Sequence, residues 1–157
     1  MDTPVVAQSD VEPEERREER GEWLKFLLVD QAYALNVLQV QEILVFDDVT
    51  PVPGAPDYIV GVINVRGSIV TVVDAARRVQ VDRTDGSKAE WIVILDAGGE
   101  HIGLLVDQVL EVEDLDNATM EPAPADGPPA LTGVVVDGEQ MTILLDARIM
   151  LDLSEYE

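Results

Sequence analysis

The sequence predicts an all-β fold, and three observations predict it. From Trp23 onward, apolar runs rich in Val, Ile and Leu alternate with turn signals about every 8–12 residues, the rhythm of short strands and hairpins. The runs then recur in the same order further along the chain. The longest continuous apolar run, Trp91-Ile92-Val93-Ile94-Leu95, has the length of a strand and is far too short to span a bilayer.

Residues 1–21 are polar and charged, ending in Glu14-Glu15-Arg16-Arg17-Glu18-Glu19-Arg20-Gly21. They offer too little apolar surface to offset the entropy of ordering, so a mobile acidic tail is expected there. Opposite charges at i,i+3 and i,i+4 spacings allow a transient helix, bounded by Pro13 and Gly21. The folded domain is expected over residues 22–157.

The two parts correspond closely. Glu22-Trp23 and the run Leu24–Leu28 are echoed by Glu90-Trp91 and the run Ile92–Leu95. At a constant offset of 69, Tyr33–Glu42 lies over Ile102–Glu111, with Leu35, Val37, Gln39, Val40 and Glu42 each meeting an identical residue. The same offset carries Thr50 onto Thr119 and Pro53 onto Pro122. After a three-residue insertion the offset becomes 72, placing Gly61 on Gly133 and Asp74-Ala75 on Asp146-Ala147. Each part therefore reads as strand, turn, strand, proline loop, glycine-led hairpin, aspartate. The prediction is two lobes, roughly 22–80 and 88–157, too small to be stable alone and sharing an apolar interface, with exchange of strands between them open. Asp74 and Asp146 stand where N-caps belong, before short helices, the second running to about Leu153 and closing the C-terminus.

What one half has and the other lacks is a candidate for function. Val65-Arg66-Gly67-Ser68 stands opposite Asp137-Gly138-Glu139-Gln140. In the second half Asp-Gly is a strong two-residue turn signal. In the first, Gly67 supplies the positive φ and Arg66 projects near the tip. In a chain this acidic, the guanidinium is expected to meet a carboxylate through its fork of donors, with Glu42, Asp47 and Asp48 as candidates. The plainer alternative is an ordinary surface arginine. For Val40 and Glu42 the plainer alternative is a half-buried strand, which alternates in the same way.

Composition removes several classes of function. A formal net charge of −22, from 32 acidic and 10 basic residues, repels phosphate backbones and anionic lipid, so neither nucleic acid nor membrane insertion is expected. Self-repulsion on that scale predicts a salt-rich cytosol. The start of the chain lacks a basic segment followed by an apolar block, and there is no cysteine, which together predict a cytoplasmic protein. Catalysis is not expected: the single histidine, His101, follows a turn and has no cysteine to activate. The acidic run Glu111–Asn117 lacks the glycine and spaced oxygens of a calcium loop, and no phosphate loop or Cys/His metal spacing is present, so neither metal nor cofactor is expected.

The stretches VLQVQEI (37–43), PGAPDYIVGVINVRGSIVTVVD (53–74) and GLLVDQVLEV (103–112) closely resemble the CheW family of chemotaxis adaptors. The resemblance runs from about Trp23 to the C-terminus. Its most specific element is Asn-x-Arg-Gly followed by an aspartate, met by Asn64, Arg66, Gly67 and Asp74. It implies two five-stranded SH3-like β-barrels packed on a shared core. It further implies a non-catalytic scaffold that couples the cytoplasmic tips of methyl-accepting chemotaxis receptors to the regulatory domain of a CheA-type histidine kinase, itself similar to the adaptor. Carried over, the family's partner-contact positions are Val40, Glu42, Ile43, Gly61 and Arg66, and Glu42 becomes the preferred partner of Arg66. The competing expectation is a standalone SH3-like module binding peptides in another signalling pathway, disfavoured because proline-groove recognition leans on aromatics and only 4% of this chain is aromatic.

Overall fold

The structure, a computed structural model, describes residues 21–83, 88–97, 99–115, 119–122 and 131–150. Residues 1–20 of the expected tail, and the expected run of the last helix from Leu151 to Leu153, lie outside the described residues. In chain order the elements are β1 (Glu22–Leu28), β2 (Gln31–Asn36), a 3-10 turn (Val37–Gln39), β3 (Val40–Val45), β4 (Ile59–Val65), β5 (Ser68–Asp74) and α1 (Ala75–Arg78). Then come β6 (Trp91–Ala97), β7 (Glu100–Val106), β8 (Gln108–Asp114), β9 (Thr119–Pro122), β10 (Leu131–Asp137), β11 (Gln140–Leu145) and α2 (Ala147–Met150).

The strands form two sheets, ordered β3-β6-β7-β5-β4 and β8-β1-β2-β11-β10-β9. The repeat in the sequence is visible in this order. Replacing each strand of the five-stranded sheet by its counterpart in the other half reproduces β8-β1-β2-β11-β10. The sixth strand, β9, continues a feature that the first half keeps only as the isolated bridge Thr50↔Val62. Each sheet contains a hairpin from the opposite half: β6–β7 pairs with β3 and β5, while β1–β2 pairs with β8 and β11. The β5/β7 and β2/β11 pairs are parallel, and all other pairs are antiparallel.

The inner strands β1, β2, β6 and β7 are buried on both faces over most of their length, which explains their near-continuous apolar sequences, whereas the edge strands β3 and β8 are not. On β6, Ile92 and Ile94 point into the five-stranded sheet's own interior with Val70, Val72 and Leu105. Val93 and Leu95 point the other way, into a larger core that also takes Leu24, Phe26 and Leu28 from β1, Tyr33 and Leu35 from β2, and Leu145 from β11. That core lies between the sheets. A third, smaller cluster of Trp23, Ala34, Leu115, Val135 and Leu144 fills the six-stranded sheet. A fully buried Leu, Ile or Phe contributes about 1.5–3 kcal/mol, so the shared core is what makes each small lobe stable.

Both short helices plug into that shared core, through Ala75 and through Ala147 and Met150. They start at the expected caps: Asp74 Oδ1 accepts from Ala76 N–H at 3.1 Å, and Asp146 Oδ1 from Arg148 N–H at 2.9 Å.

Candidate partner-docking site

The site is built on the β4–β5 hairpin and the edge strand β3, the two ends of the five-stranded sheet. Val65 pairs with Ser68 across a two-residue turn, Arg66-Gly67. Both turn residues have positive φ, 49° for Arg66 and 89° for Gly67, the pattern of a type I′ turn whose twist suits a hairpin. The glycine alone was expected to take the left-handed conformation; Arg66 takes it too, at a cost of about 1–2 kcal/mol for a residue with a side chain. Asn64 explains how the turn is held, because its Oδ1 accepts the Gly67 N–H at 2.9 Å. The matching turn is centred on Gly138 and Glu139, with Asp137 paired to Gln140. Its positive φ falls on Gly138, at 65°. The expected Asp-Gly turn is thus shifted by one residue, as befits a glycine at the first central position.

Held this way, Arg66 reaches across the seam of the sheet and Nη2 donates to Glu42 Oε2 on β3. The contact joins the two end strands, so the sheet curls round on itself. Around it opens a shallow depression of about 440 Å³, lined by Gln41, Glu42, Val65, Arg66, Ser68, Val70, Ile94 and His101. Those residues come from all five strands, which makes the depression the mouth of the curled sheet. Arg66 is 73% exposed while Glu42 is 24% exposed, so the carboxylate anchors the arginine and leaves most of the guanidinium facing outward. Of the other candidate partners, Asp48 turns its Oδ1 back to the Val49 N–H.

The remaining positions do not gather at the mouth. A β-bulge between Val40 and Glu42 breaks simple alternation, pairing Val40 with Leu95 and Glu42 with Ile94. Glu42 therefore faces the interior side with Ile94, while Val40, half-buried, packs on the shared core. Ile43 pairs with Val93 and lies on that second face, where it is 38% exposed and followed by Val45 at 65%. Gly61 is buried at a second bulge, between Ile59, which pairs with Val73, and Gly61 itself, which pairs with Val72, and a Cβ there would stand 2.3 Å from the Thr50 carbonyl oxygen. It presents no side chain to a partner. Sequence reasoning missed Val45, which alternation from Ile43 would have found, and the placing of His101 at the mouth, which required knowing that β7 lies between β6 and β5.

Among the described residues, no cluster of His, Cys, Asp or Glu could hold a metal ion, and no helix is long and apolar enough to cross a membrane. A family profile for the CheW-like domain matches residues 22–155. The chain belongs to the CheW-like domain family. A chemotaxis protein CheW from Klebsiella aerogenes is 33% identical over 138 residues, covering 85% of this chain and 83% of the relative. One from Bacillus subtilis is 28% identical over 131 residues, covering 81% and 84% respectively. The crystal structure of the scaffolding protein TtCheW from Thermoanaerobacter tengcongensis superimposes with a TM-score of 0.72 at 30% identity, covering 80% of this chain and 88% of that one. The fold is thus the pair of SH3-like barrels of CheW-like domains, and the chain is a non-catalytic adaptor of chemotaxis signalling, in a family that couples receptors to the kinase CheA.

Proposed function

We propose that this CheW-like chain works in the cytoplasm, docking the regulatory domain of a CheA-type histidine kinase and the cytoplasmic tip of a methyl-accepting chemotaxis receptor at receptor arrays. Arg66 and Glu42 form one contact element at the barrel mouth. Val40 and Ile43 belong to a second, on the opposite face of β3 beside the junction of the barrels. Gly61 acts indirectly, by letting β4 pass close to Thr50. The single observation that carries this reading is Arg66 itself: a mostly exposed guanidinium, fixed on a left-handed turn by Asn64 and aimed by Glu42. An arginine already oriented loses little entropy on meeting a partner carboxylate, and arginine is among the residues that concentrate binding energy.

The test is capture of kinase and receptor by the Arg66→Ala chain. A loss of at least about tenfold in affinity for one partner is expected, with a rim change such as Asp47→Asn altering mainly the association rate. Capture of both partners at wild-type strength would remove Arg66 from the docking surface. The rival reading, a peptide-binding SH3-like module, lacks a supporting aromatic surface at the core strands: Trp23, Phe26 and Tyr33 are all buried.

A further inference from the structure

The crossover from one sheet to the other, between β7 and β8, consists of a single residue, Asp107. Its N–H donates to the Leu27 carbonyl at 3.1 Å, and its Oδ2 accepts the Val29 N–H at 3.1 Å. Both bonds fasten it to the β1–β2 hairpin of the six-stranded barrel. Val29 is held at φ 60°, a left-handed conformation that is costly for a β-branched residue, so the surrounding contacts over-determine this turn. On the other side stands Asp74, the last residue of β5 in the five-stranded barrel and the cap of α1.

Arg83 joins them. Its Nη2 donates to Asp74 Oδ1 at 2.8 Å, and its Nη1 donates to Asp107 Oδ1. The two carboxylate side chains are only 11% and 9% exposed, and the arginine side chain 23%. Burial by itself would lower the Arg83 pKa, but hydrogen bonds and charge from Asp74 and Asp107 outweigh it and raise the pKa above its ordinary value. One guanidinium shared by two shielded carboxylates is a charge-assisted bridge that salt screens weakly, unlike a surface pair. The counterpart crossover, from β2 to β3, is built on a different principle: a 3-10 turn capped by the neutral Asn36, whose Oδ1 accepts the Leu38 N–H at 2.9 Å.

We propose that Arg83 is a positioning residue which, by bridging Asp74 to Asp107, fixes the angle between the two barrels and so holds the adaptor's docking faces in a set relation. An adaptor engaging two partners at once transmits a change in one to the other only if its own body does not absorb it. This functional half rests on the docking reading above; the geometric half does not.

The chain has no cysteine, so cysteines introduced at Glu100 and Glu139, exposed hairpin residues of the two barrels, accept a pair of spin labels whose separation dipolar spectroscopy reads in the absence of partners. The chain with Arg83 intact is expected to give one narrow distance distribution. Arg83→Met is expected to broaden or displace it beyond that width, at a temperature where circular dichroism shows the same strand content. Arg83→Lys, which keeps charge but not the two-way fork, is expected to fall between, and carries the test if the methionine variant does not fold. Val72→Ala, a cavity inside one barrel, is expected to lower Tm and leave the distribution unchanged. Receptor-dependent kinase activity is expected to drop about fivefold or more with Arg83→Met. Distributions for both Arg83 variants that superimpose on the parent would overturn the clasp. Altered distributions with unchanged kinase coupling would overturn its positioning role, whereas a parent chain unable to couple the kinase at all would count against the docking reading instead.

Discussion

Gly61 and Gly67 sit on one hairpin and require glycine for different reasons. At Gly67, φ is 89° and nothing lies within 4 Å of the position a Cβ would take, so only backbone strain opposes a side chain. At Gly61, the added carbon would stand 2.3 Å from a backbone oxygen of Thr50 and 2.7 Å from Val49 Cγ2, and the paired backbone hydrogen bonds of the Thr50–Val62 bridge keep that segment from yielding cheaply. Gly67→Ala should therefore cost about 1 kcal/mol, and Gly61→Ala about 2–4 kcal/mol through overpacking. Thermal unfolding of the two variants reads the difference directly. Equal, mild losses would show that close approach of Thr50 is not what Gly61 accommodates. The same two positions show what a sequence can disclose about single residues. The need for positive φ beside Arg66 is written in the local Arg-Gly turn, and was legible. The crowding at Gly61 comes from a residue across a long proline loop, and the split between Val40 and Glu42 comes from a bulge that no alternation pattern announces.

At the level of elements, β8 is an edge strand whose one strand neighbour in the described sheet is β1, and it carries Glu111 and Glu113 side by side along Lys25. Lys25 Nζ lies 3.4 Å from Glu113 and 3.8 Å from Glu111. Hydrogen bonding with Glu113, reinforced by Glu111's own backbone and by Lys25, holds the Glu111 carboxyl below its ordinary range. A carboxyl whose pKa is lower folded than unfolded stabilises the fold above its unfolded value, and that contribution disappears as pH falls through the folded value. Lys25→Met should lower Tm by a few degrees near neutral pH and low ionic strength. The difference from the parent should shrink in molar salt and again as pH drops below the ordinary 4.5. A gap that widens on acidification would exclude the Lys25 pairing as its source. Element order was the most legible feature of this chain, because the 69- and 72-residue offsets mark counterpart strands that occupy counterpart places in the two sheets. What the repeat could not reveal is the clasp at the crossover. Arg83 lies in the segment between the repeats, where no counterpart residue draws attention to it, and its partners Asp74 and Asp107 lie on either side of it in the chain, at no spacing that a local pattern marks.

For the whole molecule, charge is the dominant unresolved force. Lys25, Arg66, Arg77, Arg83 and Arg148 each already have a carboxylate within 4 Å, so local pairing uses up much of the cationic charge while the net remains −22. The surplus acts over distance rather than through contacts, and distance is what salt controls: the screening length falls from about 10 Å at 0.1 M to about 3 Å at 1 M. Compact packing of two barrels against one another concentrates that surplus relative to the unfolded chain, so screening should favour the folded state. Tm should consequently rise steadily from low-salt buffer to molar KCl, with most of the gain once the screening length drops below the spacing between neighbouring surface carboxylates. The Arg83 bridge, shielded from solvent, should contribute the same amount throughout, so Arg83→Met should run parallel to the parent curve at lower Tm, unlike Lys25→Met, whose curve should converge on it. A Tm that stays flat or falls with added KCl would mean that the barrels tolerate their charge without screening, and would remove the physical reason for expecting a salt-rich cytosol.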